Sequence, residues 1–82
     1  MYIKPKKSLG QNFLSDKNIL RSIVGIGDIK SNDTILEIGP GTGNLTELII
    51  KEKPKKIIVV EKDYNLVNHL YKKFNNKINI IN

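Results

Sequence analysis

At 82 residues the chain makes one domain at most, and a chain this short buries only about 60–65% of the surface its unfolded form exposes, so its core is expected to be thin. Without cysteine it can build neither a disulfide nor a thiolate metal site, and a reducing compartment, the cytoplasm by default, is expected. Fourteen Lys and Arg against eight Asp and Glu give +6, which favours polyanionic partners; no apolar run approaches the ~20 residues that span a bilayer, and no signal core of ~7–15 apolar residues follows Lys4, Lys6 and Lys7.

Residues 1–14 show no sustained period and contain Pro5 and Gly10, which predicts an extended basic arm. Ser15 or Asp16 is placed to cap a helix running to about Val24, with Ile19, Leu20, Ile23 and Val24 on one face and Gly25 and Gly27 ending it. After the polar turn Ser31-Asn32-Asp33, Thr34-Ile35-Leu36-Glu37-Ile38 reads as a strand that stops at glycine. Asn44 and Glu47 have the spacing of a capping box, and Leu45, Leu48 and Ile49 give the next helix its apolar face. Pro54 is expected to close that helix, and Ile57 to Val60 reads as a strand buried on both faces. Asp63 then caps a helix that presents Leu66, Val67, Leu70, Tyr71 and Phe74 to the core, and Ile78-Asn79-Ile80-Ile81 is the third strand. The alternation predicts a doubly wound α/β unit with parallel strands and right-handed crossovers. Three strands are few for such a sheet, so the front portion of a larger domain is expected.

Chemistry is expected where the first strand meets the second helix, because ligands of open α/β sheets bind at the carboxyl ends of the strands. In Glu37-Ile38-Gly39-Pro40-Gly41-Thr42-Gly43, Gly39 and Gly43 can take backbone angles closed to other residues, Gly41 carries no side chain to collide with a ligand, and Pro40 stiffens the turn. The dinucleotide fingerprint needs its third glycine where Asn44 stands, and the Walker loop needs a Gly-Lys-Ser/Thr that is missing. Glu61 ends the second strand roughly 20 residues beyond the loop, where a carboxylate can accept hydrogen bonds from both hydroxyls of a ribose. The alternative for Glu61 is a solvated strand-end acid, and Glu37 has a structural alternative as well.

With glycine at Gly43 and an acid two residues ahead of Gly39, the loop resembles the first motif of class I methyltransferases. Ser8-Leu9-Gly10-Gln11-Asn12-Phe13-Leu14, Glu37 through Thr46, and Val60-Glu61-Lys62-Asp63 together resemble the KsgA family of rRNA adenine dimethyltransferases. The Gln-Asn-Phe-Leu run is shared with the erythromycin-resistance methyltransferases of large-subunit rRNA, whereas Pro40 and the Leu9-Gly10 lead-in are more like KsgA. The resemblance implies the N-terminal βαβαβ portion of a Rossmann-like domain that binds S-adenosyl-L-methionine, preceded by a basic arm and a helix. Asn12 and Leu14 would close over the cofactor, Gly39 would contact its methionine part, Glu61 would hold its ribose, and Gln11 and Gly41 would make secondary contacts.

The implied activity is transfer of two methyl groups to the exocyclic amine of adenines in small-subunit rRNA during ribosome biogenesis, with that rRNA or the pre-ribosomal small subunit as partner. The family's Asn-Ile/Leu-Pro-Tyr/Phe catalytic motif does not occur in residues 1–82. By the resemblance it would lie beyond Asn82, as would the family's acid for the adenine end of the cofactor. No catalytic residue is therefore assigned, and the chain is expected to hold the cofactor half of the site and to be inactive alone. Lys4, Lys6 and Lys7 could neutralise rRNA phosphates or simply solubilise the arm, while Lys51, Lys53, Lys55 and Lys56 suit a helix C-terminus away from the cofactor edge. Tyr71 and Phe74 read as core, and His69 has no companion at metal-ligand spacing. Two other readings compete: a resistance-type large-subunit enzyme and a non-catalytic RNA-binding module built on the basic arm.

Overall fold

The computed structural model describes residues 16–82, and the basic arm lies outside them. Helix α1 (Lys17–Gly27) starts on Asp16, whose carboxylate accepts from the Asn18 and Ile19 amides at 2.9 and 3.2 Å and so serves two of the donors a helix start leaves open. The helix passes through Gly25, contrary to the expected stop at Val24. Glycine costs only about 1 kcal/mol inside a helix, and the chain turns instead at Asp28, a residue type that tolerates its left-handed φ of 48°.

Strand β1 (Thr34–Ile38), helix α2 (Asn44–Lys51), strand β2 (Lys56–Val60), helix α3 (Tyr64–Phe74), a 3-10 turn (Asn75–Lys77) and strand β3 (Asn79–Ile81) complete the fold. The sheet is parallel in the order β1-β2-β3, with Ile38 beside Val60 and Val60 beside Ile81. Carboxyl ends of all three strands therefore share one edge, and the lysines around Pro54 lie at the other.

Leu20 of α1, Leu45 and Ile49 of α2, and Leu70 and Phe74 of α3 pack with Ile57, Val59 and Ile78 into one core. The three helices thus cover the sheet face that carries Ile57 and Val59. Facing the other way, Leu36, Ile38 and Ile81 are exposed and Ile58 and Val60 are only half-buried, which corrects the reading of β2 as buried on both sides. Full burial needs a second layer, and among the described residues every helix lies on the first.

The capping box is not formed. Gly43, at φ 89°, takes the N-cap position without a side-chain hydrogen bond, so Asn44 is already helical, and Glu47 leans instead to Lys73 at 3.9 Å. At the far end α2 stops at Lys51, with Lys53 left-handed ahead of Pro54. The cap on α3 is as expected: Asp63 accepts from the Asn65 and Leu66 amides. Tyr71 is half-exposed on α3, not core, because the buried stripe runs through Val67, Leu70 and Phe74.

Candidate cofactor site at the carboxyl edge of the sheet

Gly39, Gly41 and Gly43 have φ of 67°, 60° and 89°, so all three loop glycines occupy the left-handed region that L side chains rarely adopt. The loop is tied to the sheet and to itself by backbone: the Gly39 amide donates to the Val60 carbonyl at 2.8 Å, and the Gly43 amide to the Pro40 carbonyl at 3.0 Å. A third tie comes from α3, where the Lys73 ammonium donates to the Thr42 carbonyl at 3.2 Å. Lys73 also lies 5.3 Å from the centroid of the Phe74 ring.

The glycines meet very different surroundings. A Cβ added at Gly41 would meet none of the described residues within 4 Å, so that side of the loop is open among them. At Gly43 it would fall 2.5 Å from Phe74 Cε2 and 3.1 Å from Leu70 Cδ2, so the missing side chain is what lets the loop seat on α3. Replacing Gly41 by Ala is therefore expected to cost only about 1–2 kcal/mol of stability, the strain of a left-handed non-glycine residue, and a urea unfolding curve measures it.

Glu61 follows β2 at the same edge. Its backbone amide donates to the Ile81 carbonyl at 3.0 Å, and its Oε2 accepts from the Asp63 amide at 3.0 Å. Its own carbonyl accepts from the side-chain amide of Asn82 at 2.9 Å. Asn82, marked in the sequence only as the residue beyond which the catalytic motif would lie, thus has a place at this edge: it follows β3 and braces the backbone of the acid. That role is structural, and no catalytic group is assigned to it. At 5% exposure Glu61 is not a solvated strand-end acid. One oxygen is engaged in holding the β2–α3 turn, and Oε1 has no partner among the described residues. The register that sets Ile38 beside Val60 places the loop and Glu61 at the same edge of the sheet.

Two further residues belong to the site's framework. Glu37, on β1 just ahead of the loop, is 1% exposed; the Thr46 hydroxyl, from α2 just beyond the loop, donates to its Oε1, while Oε2 is buried without a partner among the described residues. Burial, partly opposed by the Thr46 hydrogen bond, pushes the Glu37 carboxyl up from 4.5 to about 7. Lys73 carried no sequence signal, since a lysine near a helix end is ordinary, and Thr46 entered only as the last residue of the run that resembles the family, with no role of its own.

Of the five expected cofactor contacts, Gly39, Gly41 and Glu61 converge at this edge, while Asn12 and Leu14, with Gln11, lie outside the described residues. An open glycine loop with an acid on the next strand fits an adenosine-containing group: glycine allows close backbone approach, and a carboxylate suits ribose hydroxyls. No cluster of three or more metal-ligating residues occurs among the described residues, and none of their helices is long and apolar enough to cross a membrane.

This sheet, with its left-handed glycine loop and adjacent acid, is the N-terminal part of a Rossmann-like methyltransferase domain. The family model described as ribosomal RNA adenine dimethylase matches residues 3–82, and the chain belongs to that family. It is 58% identical, over its whole length, to 31% of the ribosomal RNA small subunit methyltransferase A of Pelagibacter ubique. With proteins of the same name it shares 50% identity in a Hydrogenobaculum species, over 90% of this chain and 29% of the relative, and 52% in Fusobacterium nucleatum, over 96% and 30%. The chain thus spans about three tenths of the length of these relatives.

Proposed function

We propose that this chain is the cofactor-binding half of an S-adenosyl-L-methionine-dependent enzyme that dimethylates adenine amines in small-subunit rRNA during ribosome biogenesis. The reading rests chiefly on one observation: the left-handed Gly39–Gly43 loop, open at Gly41, and the buried Glu61 follow adjacent parallel strands and so occupy the same carboxyl edge of the sheet. Relatives named as small-subunit rRNA methyltransferases support the choice of substrate.

The Gly39 and Gly41 backbone would border the methionine part, and Glu61 Oε1 would accept from the ribose while Oε2 stays on Asp63. Bound, the cofactor supplies an electrophilic methyl on sulfur, open to in-line displacement by the adenine amine. The chain's contribution is orientation, which holds donor and acceptor in line. From the arm, Asn12 and Leu14 would close over the ligand, and Lys4, Lys6 and Lys7 would add salt-dependent attraction to rRNA phosphate. Residues 1–82 contain no Asn-Ile/Leu-Pro-Tyr/Phe motif to hold the amine or stack on the base, so the 82-residue chain alone should transfer no methyl groups. Action in the cytoplasm follows from that substrate.

Labelled methyl transfer to unmethylated small subunits by the protein expressed from its complete reading frame tests the proposal. Small-subunit rRNA is expected to gain label and large-subunit rRNA none; the reverse would establish the resistance-type reading. Glu61→Ala is expected to raise KM for the cofactor by about ten- to a hundredfold, losing charge-assisted hydrogen bonds worth roughly 1.5–3 kcal/mol, with RNA affinity unchanged.

A further inference from the structure

We infer that Glu37 is a positioning residue of the glycine loop, acting through the Thr46 hydroxyl: together they clasp the strand that enters the loop to the helix that leaves it. The inference rests on the loop being the cofactor site proposed above.

Three left-handed glycines make the loop permissive, and glycine has more conformational freedom to lose than any other residue. Something outside the loop must then hold its two ends at a fixed separation. The backbone bond from Gly39 to Val60 fixes only the entry, and the bond from Gly43 to Pro40 is internal to the loop. Lys73 reaches Thr42 from the surface, where Thr42 is exposed and water competes for its carbonyl. Thr46 to Glu37 is a side-chain hydrogen bond that crosses from β1 to α2, and it spans the whole loop.

Burial makes this bond selective. Thr46 is 0% exposed and Glu37 1%, so no solvent is at hand to replace either partner. Elsewhere the helices meet the sheet through Leu, Ile, Val and Phe, which tolerate small slides. A hydroxyl on a carboxyl oxygen does not, since its strength falls away with distance and angle. Were joining β1 to α2 the only task, an apolar pair of similar volume would serve without burying a carboxyl whose second oxygen lacks a partner among the described residues. A polar pair under the glycines is better explained by the need for one loop geometry.

The test uses the protein expressed from its complete reading frame, with Thr46→Val and Glu37→Leu to remove the clasp and Thr46→Ser and Glu37→Gln to keep an equivalent hydrogen bond. Amide hydrogen exchange is followed at Gly39 and Gly43 and, as internal reference, at Ile57 and Val59 in β2; S-adenosylhomocysteine is titrated by calorimetry. Removing the clasp is expected to speed exchange at the two glycines about tenfold beyond any change in β2 and to weaken binding about tenfold. Thr46→Ser and Glu37→Gln should stay within about threefold of wild type in loop exchange taken relative to β2 and in binding. Equal changes at the loop and in β2, or unaltered binding in a folded Thr46→Val, would overturn the inference; where Thr46→Val does not fold, Glu37→Leu carries the same comparison. A wild-type protein that exchanges slowly at the loop yet binds no S-adenosylhomocysteine would refute the cofactor reading, while the exchange comparison still decides the clasp.

Discussion

Replacing Gly43 by Ala is expected to destabilise the fold by about 2–5 kcal/mol and to abolish measurable cofactor binding. Two costs combine: a left-handed backbone that a Cβ disfavours by about 1–2 kcal/mol, and a methyl forced into a packed wall for about 1–3 kcal/mol. The wall is Phe74, whose ring edge occupies the space a side chain at position 43 would need. Relief must come from α3 moving or from the loop lifting off it, and the second displaces the surface offered to a ligand. Thermal or urea unfolding of Gly43→Ala, Phe74→Leu and the double variant measures this. The two changes should be non-additive by about 1 kcal/mol or more, because the smaller side chain makes room for the methyl. Additivity would show that the left-handed backbone alone sets the cost.

Acidity offers a second large effect. With its folded value near 7 against 4.5, Glu37 keeps a proton in the folded chain that the unfolded chain releases between those pH values. Below about pH 4.5 both states hold the proton and nothing is lost. As pH rises through the window stability falls, reaching a deficit of about 3 kcal/mol above pH 7 at about 1.4 kcal/mol per pH unit. The other acids near this edge face elsewhere: Glu47 is half-exposed towards Lys73, and Glu61 is held by the Asp63 amide. Glu37→Gln cannot ionise, so urea midpoints between pH 4 and 8 should lose this downward slope. At pH 8 the variant should be more stable than wild type by about 1–3 kcal/mol, the unpartnered amide hydrogens offsetting part of the gain.

Much of the fold was legible because local chemistry and tertiary packing agree. Asp16 and Asp63 were readable as caps, and Gly39 to Gly43 joins a strand to a helix as its composition demands. The errors fall where packing decides. Alternation along β1 separates Ile35 and Glu37 from Leu36 and Ile38, yet both pairs include an apolar residue, so composition could not tell which face the helices cover. Tyr71 failed for a related reason: position 71 lies beside the buried stripe, and an aromatic residue there is tolerated in solvent. The Asn44 cap failed because the left-handed entry at Gly43 shifts the helix start by one residue.

At the candidate site, Gly39, Gly41 and Glu61 stood out as candidates from spacing together with the family resemblance, and their shared edge follows from the parallel register of β1 and β2. The roles of Thr46, Lys73 and Phe74 were not, since each depends on which helix face meets the loop. Asn82 was equally silent, because its bond to the Glu61 carbonyl exists only once β3 has paired with β2. Glu37 stood between a functional and a structural reading. Its burial, its bond to Thr46 and its unpartnered oxygen support a role as framework under the loop.

The central claim, that the carboxyl edge of this sheet is the cofactor half of a methyltransferase site, is tested most directly by amide NMR. The ¹⁵N-labelled protein expressed from its complete reading frame is titrated with S-adenosylhomocysteine and, separately, with NADH. Among residues 16–82 the expected result is saturable shifts centred on Gly39, Gly41, Thr42, Gly43, Glu61 and Lys62, with no response to NADH. Shifts centred on Lys51 to Lys56 at the opposite edge, or a carboxyl edge that answers NADH and not S-adenosylhomocysteine, would contradict it.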